Sequence, residues 1–239
     1  VKQSKNRTWI IYRIMINALI LVPEITKGMK SIGSKSLLEI KKKLSVLDYQ
    51  IQSIKNIDKS IKISVCTGFD SERIIDNIND NHSNISYVYN ENYKTTNQAY
   101  SIKIYLEQNT NCDQLLIVSN GVLFKDKCIT KTMLNNECKV FLLNKTRENF
   151  NLGCSTQHHF EYLFYDLPEL WSECIFLNKE ALTVLRNLFT SNYTTQMYLF
   201  ELINEMINQK IVFKKQYIDK KSIMKICNLK DIAKAKNFI

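Results

Sequence analysis

The chain has 239 residues, 45% of them hydrophobic and 23% charged, enough for one large domain with a buried core, and this excludes a disordered polymer. Only five Gly and two Pro are present, which excludes long flexible or Pro-rich linkers. The formal net charge of +10 suits anionic partners, but the lysines are scattered among acids and no run joins stacked aromatics with Arg, so a nucleic-acid strip is not expected.

Trp9 to Val22 is largely apolar, yet Arg13 and Asn17 interrupt it and it is too short to cross a membrane as a helix. Basic residues precede it, but no small-residue cleavage site follows. Met15 reads as the start of the fold, with residues 1–14 a non-native or disordered extension. Ala18 to Val22, ending at Pro23, reads as a buried strand of a parallel sheet. A loop with Gly28 and Gly33 follows, and Lys41 to Lys43 fits a solvated turn. Leu44, Leu47, Ile51 and Ile54 recur at helical spacing. Ile61, Ile63 and Val65 alternate as a strand, and Asp70 or Ser71 can cap a helix running to about Ile78. Ile85 to Tyr89 is a third strand, Gln98 to Glu107 a helix, Leu115 to Val118 a central strand, Ile129 to Leu134 a short helix and Val140 to Leu143 a strand.

This alternation of strands and helices up to Asn144 implies an α/β fold: a Rossmann-like, mostly parallel sheet with helices on both faces. Beyond Asn144 the pattern changes. Phe160 to Tyr165, Glu173 to Leu177 and Ile211 to Tyr217 read as strands; Lys179 to Phe189, Tyr198 to Gln209 and Leu229 to Phe238 read as helices. Seven cysteines, an odd number without C-x-x-C spacing, disfavour a disulfide framework or zinc ribbon and suit a reducing, cytoplasmic setting. Most are expected as small buried residues. The adjacent His158 and His159 cannot share a helix face as a metal pair and read as surface residues.

Four segments in order resemble the nucleotidyltransferases of the glycosyltransferase-A-like superfamily, which act on sugar phosphates, choline phosphate and molybdopterin. Together they run from Asn17 to Lys236. The first is ALILVPEITKGM (Ala18 to Met29) followed by GSKSLLEI (Gly33 to Ile40), against a strand, A-A-G-x-G-x-R-M and P-K-x-L-L-E-I. Glu24 and Thr26 stand where the pattern has glycines that wrap a triphosphate, and Gly28 replaces its Arg, while Lys35 keeps the place of the phosphate-contacting lysine. The second, YVYNENYKTTNQAYS (Tyr87 to Ser101), resembles Y-N-P-x-Y-x-x-T-N-N-x-Y-S of the choline- and sugar-phosphate branch. The resemblance implies that Thr96, Asn97 and Gln98 face ligand; read locally, Thr95 or Thr96 caps the following helix.

The third segment, LLIVSNGVLF (Leu115 to Phe124), matches L-L-x-x-D-G-D-V-x-F, with Ser119, Asn120 and Gly121 in place of D-G-D. The fourth, SIMKICNLKDIAKAK (Ser222 to Lys236), matches W-x-E-I-D-T-P-E-D-L-x-x-A. The pattern's two metal-binding aspartates fall at Gly121 and Cys227, and neither a missing side chain nor a thiol replaces a hard oxygen ligand for Mg²⁺. In the acceptor-side region, Glu173 and Glu201 are candidate contacts.

The resemblance therefore implies a single nucleotidyltransferase-like domain over 15–239, with a nucleotide-binding half (15–144) and an acceptor-side half (145–239). Such enzymes work by positioning and charge neutralisation, and each lost stabilising group costs about 2.7–4 kcal/mol of barrier. Loss of the glycine loop, its Arg and both metal aspartates points to a catalytically impaired pseudoenzyme that retains binding of a nucleotide or sugar phosphate. A protein partner is then compatible, no cofactor is expected unless a Mg²⁺ site is rebuilt, and neither membrane nor nucleic acid is a partner. The alternative is an active, divergent enzyme that releases pyrophosphate and draws metal ligands from Asp113, Asp126 or Asp231. The weakest reading, resting on charge alone, is a basic protein associated with nucleic acid.

Overall fold

The computed structural model describes residues 15–25, 30–143 and 151–239. The expected N-terminal extension and the loop positions Thr26 and Gly28 lie outside the described residues. In chain order the elements are β1 (Ile16–Val22), β2 (Glu39–Lys41), β3 (Leu44–Ser45), α1 (Val46–Ile57), β4 (Lys62–Thr67), α2 (Ser71–Asn81), β5 (Ile85–Tyr89) and α3 (Gln98–Gln108). There follow β6 (Gln114–Ser119), β7 (Val122–Phe124), β8 (Lys139–Leu143), β9 (Leu152–Cys154), β10 (Phe164–Tyr165) and β11 (Glu169–Leu177). The chain closes with α4 (Lys179–Leu188), α5 (Leu199–Asn208), β12 (Lys214–Ile218), β13 (Ile223–Lys225) and α6 (Leu229–Phe238).

β5, β4, β1 and β6 lie side by side, all parallel. β11 adds to β6 antiparallel, β8 adds to β11 antiparallel, and β12 runs parallel to β8. The α/β sheet is thus parallel at its centre and mixed towards the later strands. Each side of β1 feeds a different core, as a period of two requires. Leu19 and Leu21 enter a cluster with Ile102 of α3, Leu182 of α4 and Leu202 of α5. Ala18, Ile20 and Val22 enter another with Ile51 of α1 and Ile74 of α2. A fully buried side chain of this kind contributes about 1.5–3 kcal/mol, and a one-residue slip would exchange the two faces. Helices therefore cover both faces of β1, which explains its unbroken apolar run.

α1 begins with a reciprocal cap: Ser45 accepts from the Asp48 amide while Asp48 accepts from the Ser45 amide. His82 reaches back from the end of α2 to Asp48 Oδ1 at 2.8 Å, and Asn77 donates to the same oxygen at 3.0 Å. α6 uses the same device, with Asn228 and Asp231.

Several expectations are corrected. Ile129 to Leu134 forms only the 3-10 turn Lys131–Met133; Ile129 and Leu134 are buried without a helix. Phe160 to Tyr165 is strand only at Phe164–Tyr165, because the side chain of Asn204 on α5 takes the ladder's place. It accepts from the Leu163 amide (2.8 Å) and donates to the Leu163 carbonyl (2.9 Å). Neither Thr95 nor Thr96 caps α3: both hydroxyls donate to the Asn92 carbonyl, and Asn97 is the residue at the cap. Asp70 precedes α2 at φ +60° without a side-chain cap bond, and its carboxylate instead accepts from the Ser34 amide at 2.9 Å and pairs with Arg73 at 3.0 Å. All but one of the cysteines are buried, the exception being Cys227.

Candidate functional site

β1 is the strand where the order of the parallel sheet reverses, with β4 on one side and β6 on the other. Ligands of open α/β sheets lie outside the carboxyl ends of the strands at such a point. A cavity of about 170 Å³ opens there, bordered by Glu24 after β1 and by Ser119 and Asn120 at the end of β6.

The turn after β6 is fixed from behind. Gln50 of α1 donates to the carbonyls of Ser119 (2.9 Å) and Val122 (3.0 Å). Ser36 donates to Asn120 Oδ1 at 3.0 Å. With its oxygen held this way, Asn120 Nδ2 has no hydrogen-bond partner among the described residues, and neither has Ser119 Oγ. Both residues are almost fully buried, at 4% and 2% exposure, and both line the cavity. Unpartnered buried polar atoms cost about 1–3 kcal/mol each, a debt that a bound polar ligand would relieve.

β13 pairs antiparallel with β7, and the Ile226 amide continues that pairing to the Gly121 carbonyl at 2.8 Å. Lys35, buried in the short turn after Ser34, donates to the Ile226 carbonyl at 3.3 Å. Burial holds the Lys35 pKa below the usual lysine value; Lys225 reinforces this and Glu24 and Glu173 oppose it. Lys225 lines the same cavity, ion-paired with Glu173. Burial works against the Lys225 charge, but Glu173 outweighs it, and the pKa lies above the usual lysine value.

Glu173 reaches this pair through an irregularity in β11. The register with β8 shifts between Trp171 and Ile175, and Glu173 sits at φ +60°. The bend is tied by the Trp171 indole N–H to the Cys174 carbonyl (3.1 Å) and by the Cys174 amide to Ser172 Oγ (3.3 Å). A left-handed non-glycine residue costs about 1–3 kcal/mol and such strain gathers at functional sites; bulges re-aim side chains in the same places.

The aromatic wall comes from the later half of the chain. Trp171 on β11, Tyr165 on β10, and Tyr198 and Phe200 at the start of α5 all line the cavity. Phe200 stacks with Tyr198 at 6.2 Å between centroids and meets Tyr165 edge-on at 5.8 Å. Gln98 ties the two sides together, donating to Glu24 Oε1 (3.0 Å) and accepting from the Leu199 amide (2.9 Å).

Of the residues singled out from sequence, Lys35, Gln98 and Glu173 meet in this cavity. The others are occupied locally. Thr96 accepts from Asn90 and donates to the Asn92 carbonyl. Asn97 donates to the Gln196 carbonyl at 2.6 Å. Glu201 accepts from the Tyr198 amide at 2.7 Å, capping α5. Lys225, Asn120, Ser119 and the aromatic wall were not foreseen as binding groups. The one available signal was Lys225, which stands where the fourth segment's pattern reads Glu.

The positions at which the resemblance places metal ligands do not fit a divalent ion. A Cβ at Gly121 would lie 2.9 Å from the Ile226 carbonyl oxygen and 3.2 Å from Lys35 Cε. Cys227 offers a thiol, and its amide is bound to Asp231 Oδ2 at 3.0 Å. Two lysine ammonium groups already occupy this side of the cavity. Asp231 is spent on its cap, Asp113 pairs with Lys179 and Asp126 accepts from Asn56. Among the described residues no group of three or more His, Cys, Asp or Glu is placed to hold a metal ion, and no helix is long and apolar enough to cross a membrane.

Comparison with solved structures gives the class of fold. The CTP:phosphocholine cytidylyltransferase of Streptococcus pneumoniae superposes with a TM-score of 0.76 at 15% identity, over 94% of this chain and 99% of that one. The inositol-1-phosphate CTP transferase of T. maritima gives 0.69 at 11% identity, over 94% and 96%. A nucleoside-diphosphate-sugar pyrophosphorylase of Vibrio cholerae gives 0.68 at 12%, over 92% and 100%. The chain therefore has the nucleotidyltransferase fold over nearly its whole described length. No protein-family model matches it, and no curated protein matches its sequence.

Proposed function

We propose that this chain is a catalytically impaired relative of the sugar- and choline-phosphate nucleotidyltransferases that binds a phosphorylated small molecule, or the nucleotide that carries it, without turning it over. The observation that carries the proposal is the character of the two positions where the resemblance places metal aspartates: at Gly121 a Cβ would lie 2.9 Å from the Ile226 carbonyl oxygen, and Cys227 offers a thiol in place of a carboxylate. The surrounding binding surface is intact in character: buried unpartnered groups at Ser119 and Asn120, and lysines suited to phosphate.

The chemistry of the wall narrows the ligand. Trp171, Tyr165, Tyr198 and Phe200, together with the carboxylates of Glu24 and Glu173, suit a quaternary or alkylated ammonium, which aromatic faces attract. The same cavity is lined by Lys35 and Lys225. A zwitterion such as phosphocholine, the substrate named for the pneumococcal structure, satisfies both ends; a sugar phosphate satisfies only one. The cavity is small beside the ~300–1,000 Å³ common for ligand pockets, which favours an acceptor-sized ligand. A cytoplasmic site of action, in keeping with the free cysteines, belongs to the same proposal.

Calorimetric titration with phosphocholine and with CTP, UTP, GTP and ATP, each with and without Mg²⁺, tests this reading, paired with an assay of pyrophosphate release. Binding without pyrophosphate release is the expected result. Mg²⁺-dependent pyrophosphate release from an NTP and phosphocholine would replace it with the divergent-enzyme reading.

A further inference from the structure

We infer that Lys35 and Lys225 form a built-in cationic seat in the place of a divalent ion, so that the cavity takes a phosphate group without metal, and that Glu173 is the internal anion which that phosphate displaces. This rests on the proposed reading of the cavity as the site of a phosphorylated ligand.

Three independent observations meet here. The first is position. Lys35 Cε lies 3.2 Å from where a side chain at Gly121 would begin, and Lys35 Nζ donates to the carbonyl of Ile226, the residue before Cys227. The buried Lys35 side chain thus lies beside Gly121 and beside the residue that precedes Cys227. The second is charge. Along the fourth segment the pattern's Glu becomes Lys225, and its Asp becomes Cys227; in the third, an Asp becomes Gly121. Positions that are acidic in the pattern have become neutral or cationic next to one cavity. A divalent ion there would face repulsion from two ammonium groups, whereas a phosphate would face attraction from both, opposed by Glu173 and by Glu24, which lines the same cavity and acts on both lysines.

The third observation is the pair of unpartnered groups. Asn120 Nδ2 can only donate, and Ser119 Oγ can donate or accept; both are nearly fully buried and line the cavity. Donors beside cations are what phosphate oxygens require. Against these stands Glu173, the carboxylate that now neutralises Lys225. It is held there at φ +60° in the bulge of β11. A phosphate arriving at Lys225 exchanges one anion for another and leaves the Glu173 carboxylate free in the cavity that it lines.

The test is calorimetric titration with inorganic phosphate and, separately, with phosphocholine, in EDTA and in Mg²⁺, on the full chain and on folded variants checked by circular dichroism. The inference expects phosphate to bind in EDTA with an affinity that Mg²⁺ leaves within about twofold. It expects Glu173→Gln to bind phosphate about tenfold more tightly, the scale of one charge-assisted hydrogen bond. Lys225→Glu should abolish phosphate binding, and Lys225→Arg should restore it. Phosphate binding that requires Mg²⁺, or a Glu173→Gln chain that binds phosphate no better than the parent, overturns the inference. If phosphocholine binds while Lys225→Glu leaves its affinity unchanged, the inference fails and the proposed ligand class stands. If neither probe binds under any condition, the inference falls, and the proposed function is then decided by the nucleotide titrations.

Discussion

The Ile226 amide donates to the Gly121 carbonyl at 2.8 Å, and this single hydrogen bond brings two loop backbones so close that no side chain fits at position 121. Gly121 also sits at φ +79°, a region that favours glycine. Gly121→Asp, the substitution that would rebuild one metal aspartate, is therefore expected to lose about 1–3 kcal/mol of stability through overpacking and to gain no metal-dependent turnover. Urea denaturation and a pyrophosphate-release assay on the same variant read both halves of that expectation. Wild-type stability together with Mg²⁺-dependent turnover would contradict it.

The site was partly legible before the fold was known, and the division has a physical basis. Lys35, Gln98 and Glu173 could be singled out because each lies in a segment whose residue string is distinctive in itself. Thr96 and Asn97 belong to the same string as Gln98, but their short polar side chains, beside a helix start, find backbone carbonyls, and Glu201 caps α5. Asn120 was silent and Lys225 showed only a change of charge against the pattern, because their meaning is relational: β13 must pair with β7, and Ser36 must take the Asn120 oxygen. Likewise, nothing in Trp171 to Ile175 announces a bulge, for no glycine marks it. For the fold, β1 and β6 were readable from buried runs and α1 from its period, whereas β9 and β10 are too short to carry a pattern. The segment before β10 misled because Asn204, a helix side chain, supplies its hydrogen bonds.

The Asp48 cluster gives a stability profile with a definite sign. Burial alone would raise the Asp48 pKa, but hydrogen bonds from His82 and Ser45 prevail and hold it below the usual aspartate value. Between the unfolded and folded pKa values the unfolded chain binds more protons, so stability rises with pH there. The contribution of Asp48 is complete above the unfolded value of about 3.9 and vanishes as pH falls through the folded one. Asp48→Asn should cost about 1–3 kcal/mol near neutrality and should flatten the acid limb of the stability curve. Equilibrium unfolding of both chains across acidic pH measures this, and parallel acid limbs would contradict it.

Lys215 and Glu169 form a second buried polar centre. Lys215 Nζ donates to Glu169 Oε2 at 2.8 Å and to the carbonyls of Ser155 and Gln157, both at 2.6 Å, while Tyr217 donates to Glu169 Oε1 at 2.8 Å. Removing one charge strands the other, so Lys215→Met should cost about 3–5 kcal/mol. Lys215→Met combined with Glu169→Leu should recover a substantial part of that loss, since an apolar pair of similar volume replaces buried ions at little net cost. A double-mutant cycle by urea unfolding decides it; additive losses would show that the two charges act separately.

The aromatic wall makes a prediction specific to the proposed ligand. Tyr198 stacks on Phe200 and leaves more than half of its surface open, so truncating it disturbs little packing. Tyr198→Ala should weaken phosphocholine binding by about 0.5–2 kcal/mol, the scale of a cation–π contact, and leave inorganic phosphate unaffected. Equal losses for the two probes would place Tyr198 away from the ammonium end.

The hydrogen bond from Lys35 to the Ile226 carbonyl spans 191 positions of the chain. The floor of the cavity is thus laid by one segment and closed by another that is made long after it. Because β1, β4, β5 and β6 need nothing from β13 or α6 to complete their ladders, the central sheet can assemble during synthesis while the cavity still lacks a floor. The cavity is completed only once β13 has been made and has paired with β7, so a nascent chain can hold its central sheet before the cavity exists.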